Sequence, residues 1–180
     1  DYDLDLIVTG IDGGSVYHLE RWINPGSGIL TGPTIIGTGV GGDSSASLGD
    51  IDSDGDLDLI VTGQDAATAK HLDKYMNDGA GSFTGPTAFG TGVYVSSTSF
   101  GDIDGDGDLD LIVTGWDGGS CHLERYMNPG TGAFAGPTNF GVGENTSSTS
   151  LGDIDGDGDL DLIVAGVSCG GVRVLERWMN

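Results

Sequence analysis

The chain has 180 residues, with 28 acidic against 6 basic side chains and a formal net charge of −22, a balance that repels nucleic acid and anionic membrane surfaces. With 37% apolar residues it can bury a core, yet no apolar run approaches the roughly 18 residues of a membrane-spanning helix and no basic-then-apolar leader opens it. Cys121 and Cys169 are too few for a disulfide framework and lack metal-finger spacing, so two separate thiols are expected ahead of one bridge.

The chain repeats itself. It opens on a strand, LDLIVTG from Leu4, which returns at Leu57 and Leu109 and as LDLIVAG at Leu160, at spacings of 53, 52 and 51 residues. Next comes ERWIN, ending at Asn24, which returns as DKYMN at Asn77, ERYMN at Asn128 and ERWMN at Asn180. A Gly-rich turn and a GPT triplet follow at Gly32, Gly85 and Gly136. Within one copy, SSTSFGDID alternates small polar and apolar residues and predicts a first strand, and the β-branched run DLDLIVTG predicts a second. CHLERYMN, from Cys121, alternates two faces and predicts a third. AFAGPTNFGVG predicts a weaker outer strand, where an edge tolerates Pro137. No window carries a 3.6-residue apolar stripe, and 35 Gly argue against helices. The expected fold is therefore all-β, a β-propeller of four-stranded antiparallel blades, with about 3.5 blades in one segment spanning 1–180. Its repeats run 1–49 (partial), 50–101, 102–152 and 153–180 (partial). The start inside a repeated motif, without an initiating Met, carries the expectation that a leader or upstream blades lie outside this sequence.

Between the first and second strands lies Asp-x-Asp-x-Asp-Gly-x-x-Asp. It occurs as Asp50, Asp52, Asp54, Gly55, Asp58, then as Asp102, Asp104, Asp106, Gly107, Asp110, and as Asp153, Asp155, Asp157, Gly158, Asp161. Alternate carboxylates on a tight turn converge on one point, and the Gly permits the positive φ that folds the loop around an ion. Four crowded carboxylates repel unless a cation neutralises them, and hard oxygen ligands without His or Cys select Ca²⁺. By analogy with EF-hand loops, the seventh residues, Asp56, Asp108 and Asp159, are expected to offer a backbone carbonyl and turn their side chains to solvent. Asp1, Asp3 and Asp5 align with the last positions of a further loop that lacks its first two ligands and has Tyr2 at the Gly position.

GDIDGDGDLDLIVTG at Gly101 and YMNPGTGAF at Tyr126 resemble the FG-GAP/VCBS repeats of integrin α-subunit propellers, lectins and secreted bacterial surface proteins, over nearly the whole chain. The resemblance implies Ca²⁺ in the loop between strands one and two, and partners on the opposite face. That face would carry residues 11–15, 64–68, 116–120 and 167–171 with 39–43, 93–95 and 143–146, where Trp116 and Tyr94 would contact a sugar or protein unless they pack between blades. Asn145 opens a glycosylation acceptor triplet.

Catalysis needs an asymmetric constellation, whereas His18, His71 and His122 recur once per copy, each with an acid two residues on. These histidines are expected to pack or hydrogen-bond, and Arg21, Lys74, Arg125 and Arg177 to pair with carboxylates between blades. The Trp22, Tyr75, Tyr126 and Trp178 positions are expected to pack between adjacent blades. The expected function is thus a calcium-stabilised, non-enzymatic adhesion or assembly module of a secreted or cell-surface protein. A carbohydrate-binding lectin is the first alternative and a non-catalytic fragment of a larger secreted enzyme the second. Expected partners are a protein or glycan ligand, and either missing blades of the same protein or a second copy at open blade edges, with no nucleic acid and no membrane insertion.

Overall fold

The computed structural model describes residues 3–180, apart from the side chains at 42, 146 and 147; Asp1 and Tyr2, and with them part of the incomplete N-terminal loop, lie outside the described residues. Among the described residues there are strands and turns and no helix. The strands are β1 (Leu6–Ile11), β2 (Tyr17–Ile23), β3 (Thr31–Gly49), β4 (Asp58–Gln64), β5 (Lys70–Asn77) and β6 (Phe83–Gly101). They continue as β7 (Asp110–Trp116), β8 (Cys121–Met127), β9 (Ala135–Asn139), β10 (Glu144–Gly152), β11 (Asp161–Ser168) and β12 (Arg173–Trp178).

Every pairing is antiparallel and between chain neighbours, which is why Gly-rich hairpins suffice as connections. The two 19-residue strands each serve two ladders. β3 pairs with β2 through its first half and with β4 from Gly41 onward, and β6 likewise joins β5 to β7. The changeover falls at a bulge, at Gly41/Ser45 and again at Tyr94/Ser97, where Asp43 and Val95 take positive φ. The strands thus group into units of three, four, four and three: β1 and β2 with the first half of β3; its second half with β4, β5 and half of β6; the rest of β6 with β7, β8 and β9; and β10 to β12 as a separate sheet. The sequence pattern predicted separate outer and first strands throughout. The structure fuses them twice and keeps them apart only at residues 140–143.

β4 and β7 are buried on both faces from Asp58 to Gly63 and from Asp110 to Gly115, which accounts for the unbroken apolar run LIV where one-sided burial would demand alternation. The core forms one cluster at each junction between units. Leu19 and Val40 of the first unit meet Leu59, Val61 and Tyr75 of the second. Leu72 and Val93 then meet Leu111, Val113 and Tyr126, and Leu123 and Ile112 meet Leu162 and Val164. Each such side chain contributes about 1.5–3 kcal/mol by leaving water. Between strands, Ser45, Ser47, Ser97 and Ser99 reach the threonines Thr98 and Thr149 of the next unit, so the small polar alternation is a hydroxyl ladder along the first strands of successive units.

The predicted arginine partners differ. Arg21 donates to the Gly81 carbonyl and Lys74 to that of Gly132, each in the glycine turn of the following unit, where the backbone oxygen accepts in place of the expected carboxylate.

Candidate metal centres and the opposite face

The three loops fill the gaps between β3 and β4, β6 and β7, and β10 and β11, so the ninth-position aspartate opens the second strand each time. The first carboxylate folds the turn: Asp50, Asp102 and Asp153 accept the amides of Gly55, Gly107 and Gly158 at 3.0, 3.0 and 3.1 Å. Those glycines sit at φ of 95, 95 and 102°, a region L-residues rarely enter. The fourth position also takes positive φ, at Ser53, Gly105 and Gly156, a requirement whose sequence signal was the Gly in two of three copies.

Carboxylate oxygens of Asp50, Asp52 and Asp58 lie within 4.8 Å of one another, as do those of Asp102, Asp104 and Asp110, and of Asp153, Asp155 and Asp161. The fifth-position Asp54, Asp106 and Asp157 stand outside these tight triads and accept the amides of Asp56, Asp108 and Asp159 at 2.9, 2.9 and 3.0 Å. The seventh-position side chains depart from expectation. Asp56 and Asp108 are half-buried against Gly79 and Gly130, where a methyl group would strike the carboxylate, and only Asp159 is exposed. The glycine turn after the third strand leaves room that these carboxylates fill.

Asp58, Asp110 and Asp161 are buried, and each receives two amides, one from the loop and one from the residue that ends the third strand. For Asp110 these are Ile103 at 3.0 Å and Asn128 at 2.8 Å. Burial pushes the Asp58 and Asp110 carboxyls up against the pull of those amides, and the charges of Asp52 and Asp54, or of Asp104 and Asp106, push the same way. A cluster of hard oxygens whose buried member is already strained by its neighbours' charge suits a divalent cation. Sequence reasoning gave the closing asparagines no role. Asn128 and Asn180 donate their side-chain amides to the carbonyls of Ile51 and Ile103, at 2.8 and 2.7 Å, so each unit braces the loop of the one before.

At the opposite ends of the strands, each of the first three units holds its histidine between two carboxylates. Nδ1 of His18, His71 and His122 meets Glu20, Asp73 and Glu124 at 2.7, 2.8 and 2.8 Å, and Nε2 meets Asp12, Asp65 and Asp117 at 3.4, 3.2 and 3.0 Å. The outer aspartate also closes the hairpin: Asp117 accepts the Gly119 and Ser120 amides at 2.7 Å, and these with His122 hold its carboxyl down at about 2. For His71 and His122 burial opposes the charge, but the flanking carboxylates outweigh it and hold the pKa above the ordinary histidine value.

Trp116 and Tyr94 are cross-strand neighbours on β7 and β6, both half-buried, with ring centroids 5.3 Å apart. Lys70, from the preceding unit, lies 5.7 Å over the Tyr94 ring. The two aromatics therefore pack on each other within the third unit. Thr146 and Ser147 of the Asn145 triplet have side chains outside the described set.

The expectation of separate thiols is corrected. Cys121, at the start of β8, is bonded to Cys169 in the β11–β12 hairpin, with Cα atoms 5.8 Å apart. Their separation of 48 residues is close to one repeat, which brings corresponding ends of adjacent units together.

An FG-GAP-like repeat model matches residues 1–61, 66–113 and 104–164. The chain belongs to the FG-GAP-like repeat family. No curated protein matches this FG-GAP-like chain. Among solved structures it is similar to a lectin of Agrocybe aegerita, described for specific recognition of non-reducing terminal N-acetylglucosamine, at 21% identity and TM-score 0.56 over 96% of this chain and 51% of the lectin. A second similarity, to the V. cholerae biofilm matrix protein Bap1, has 17% identity and TM-score 0.43 over 82% of this chain and 22% of that protein. The FG-GAP-like chain thus spans about half the length of the lectin, and its antiparallel all-β fold is consistent with a β-propeller-like arrangement.

Proposed function

We propose that this chain is a calcium-stabilised, non-catalytic β-propeller segment of a secreted or cell-surface protein, acting in adhesion or assembly. The observation that carries the reading is the convergence of three carboxylates at one point in each of three equivalent loops. Ca²⁺ would be held by Asp50, Asp52 and Asp58 and their equivalents, with the fifth-position carboxylates and the carbonyls of Asp56, Asp108 and Asp159 as further oxygens. Isothermal titration of chelator-treated protein is the test. Three calcium ions per chain and two after Asp102→Asn are expected, while no calcium heat, or unchanged stoichiometry in the variant, refutes the reading.

Support for a propeller with a blade per unit comes from the three, four, four, three grouping of strands. The disulfide favours an oxidising compartment, and the threefold recurrence of each polar cluster argues against a single active site. The two end faces support assembly. Leu175 is 76% exposed where Leu19, Leu72 and Leu123 are at most 2%, and Leu6 is 44% exposed where Leu59 and Leu111 are fully buried. Each end face therefore repeats one side of an interior junction, and a further unit of the same repeat, from this protein or a second copy, is the surface that fits. Light scattering at tens of micromolar is expected to show self-association that Leu175→Asp abolishes, and a strictly monomeric wild-type chain contradicts it.

The lectin reading has one observation of its own, the Trp116, Tyr94 and Lys70 group on the face away from the loops. A glycan array separates it, since selective binding lost in Trp116→Ala would establish a lectin and uniform silence would leave assembly.

A further inference from the structure

The junction between the third and fourth units departs from the other two at one point. Gly39, Gly92 and Gly143 are equivalent, because a side chain on each would strike the backbone at His18, His71 or His122. The residues that follow them are Val40, Val93 and Glu144. Both valines are buried core members, and Glu144 is buried to the same degree, with 0% exposure, yet neither of its carboxylate oxygens has a hydrogen-bond partner among the described residues. On the same three-stranded sheet, Glu176 of β12 is equivalent to Glu124. In the third unit Glu124 accepts the Tyr126 hydroxyl at 2.7 Å and lies 2.8 Å from Nδ1 of His122. In the fourth, Val174 replaces the histidine and Trp178 the tyrosine, and Oε2 of Glu176 is buried without a partner. The β10–β12 sheet thus carries two acids with buried oxygens that have no donor among the described residues.

An ionised carboxylate left unpaired in an apolar junction is expensive, and taking up a proton is the least costly remedy. We propose that Glu144 takes up a proton in the folded chain, so that the contact between the third and fourth units is tight while Glu144 is neutral and loosens when it ionises. Packed against β10 are β6, β7, β8 and β11, with β12 beyond. Their titratable and charged side chains are Tyr94 on β6, Asp110 on β7, His122, Glu124, Arg125 and Tyr126 on β8, Asp161 on β11, and Arg173, Glu176 and Arg177 on β12. His122 is already held by Asp117 and Glu124, while burial, and after it the charge of Glu176, push the Glu144 carboxyl up. The folded chain therefore binds more protons at Glu144 than the unfolded one, so the contribution to the junction is complete below the unfolded pKa and is lost as pH rises through the raised folded one. This inference is independent of the calcium reading.

The chain has only four glutamates, Glu20, Glu124, Glu144 and Glu176, which makes carboxyl-carbon NMR on the intact, calcium-loaded protein decisive. One glutamate resonance is expected to titrate above the ordinary range of about 4.3, and to vanish in Glu144→Gln. Four resonances titrating at or below that range overturn the proposal, as does paramagnetic broadening of the Glu144 signal by added Mn²⁺, which would mean that a cation holds that carboxylate. Glu144→Val, restoring the residue of the other junctions, is expected to raise Tm by about 3 °C at alkaline pH and by less in mild acid. A gain that does not shrink on acidification refutes the proton on Glu144.

Discussion

The first three hairpins and the fourth solve the same problem with different chemistry. In the first three an aspartate closes the turn and grips a histidine that a second acid holds from behind. In the fourth, Ser168 accepts the Val172 amide at 3.3 Å, Val174 stands in place of the histidine, and the adjacent Cys169 is tied to the neighbouring unit by a disulfide. The aspartate and the histidine disappear together, which marks them as one device. A covalent tether between units stands where the non-covalent grip within a unit is missing, so hairpin ends need fixing but not by a particular interaction.

Removing calcium is expected to act on both kinds of unit, since the second, third and fourth each possess a complete loop, and it sets the largest effect. At a hundredfold excess over Kd each loop contributes about 2.7 kcal/mol, or about 8 kcal/mol for three, read as a fall in Tm with EDTA. A second experiment strikes the fourth unit alone. Cys169→Ser should cost about 4 kcal/mol on the chain-entropy estimate for a 48-residue separation, with the loss of hydrogen-exchange protection confined to β10–β12. Protection lost evenly across all units would erase the distinction between tether and clamp.

His122→Val tests the other side. It leaves Glu124 and Asp117 facing each other without the imidazole, and about 2 kcal/mol should be lost from the third unit. The smallest effect is the response to pH. His71 and His122 have folded pKa values above the unfolded value of about 6.5, so their stabilisation is complete below that value and is lost as pH rises through the folded pKa. Exchange protection in β5 and β8 should decline in mildly alkaline solution, and both declines should be absent from a His71→Val, His122→Val double variant.

Much of this was legible in the repeat itself. The strands around LDLIVTG and the aspartate loops follow from local pattern, because alternation, turn glycines and ligand spacing all act within a dozen residues. The hairpin clamp was half legible: the histidine and the acid after it were visible as recurrent, but Asp12, Asp65 and Asp117 reach them from the hairpin turn before the strand. The disulfide was hidden because its cysteines belong to different copies and occur once each. The fusion of β3 and of β6 was hidden by runs such as GTGVGGDSS, whose glycines and small polar residues read as a break. Bulges with Asp43 and Val95 at positive φ carry the strand through instead. The cations found carbonyls because the glycine turn that receives them has no side chain to announce it.

The two 19-residue strands make the first three units a single mechanical and thermodynamic body. β3 cannot leave the outer edge of one sheet without disturbing the innermost position of the next, so fraying of a unit is charged at once to its neighbour. Between β9 and β10 residues 140–143 interrupt that continuity, and the load crosses instead through the Cys121–Cys169 bond and side-chain packing. Under force or mild denaturant the chain should therefore part at this seam first, with β10–β12 opening as a separate foldon in reducing solution and remaining attached to the body in oxidising solution.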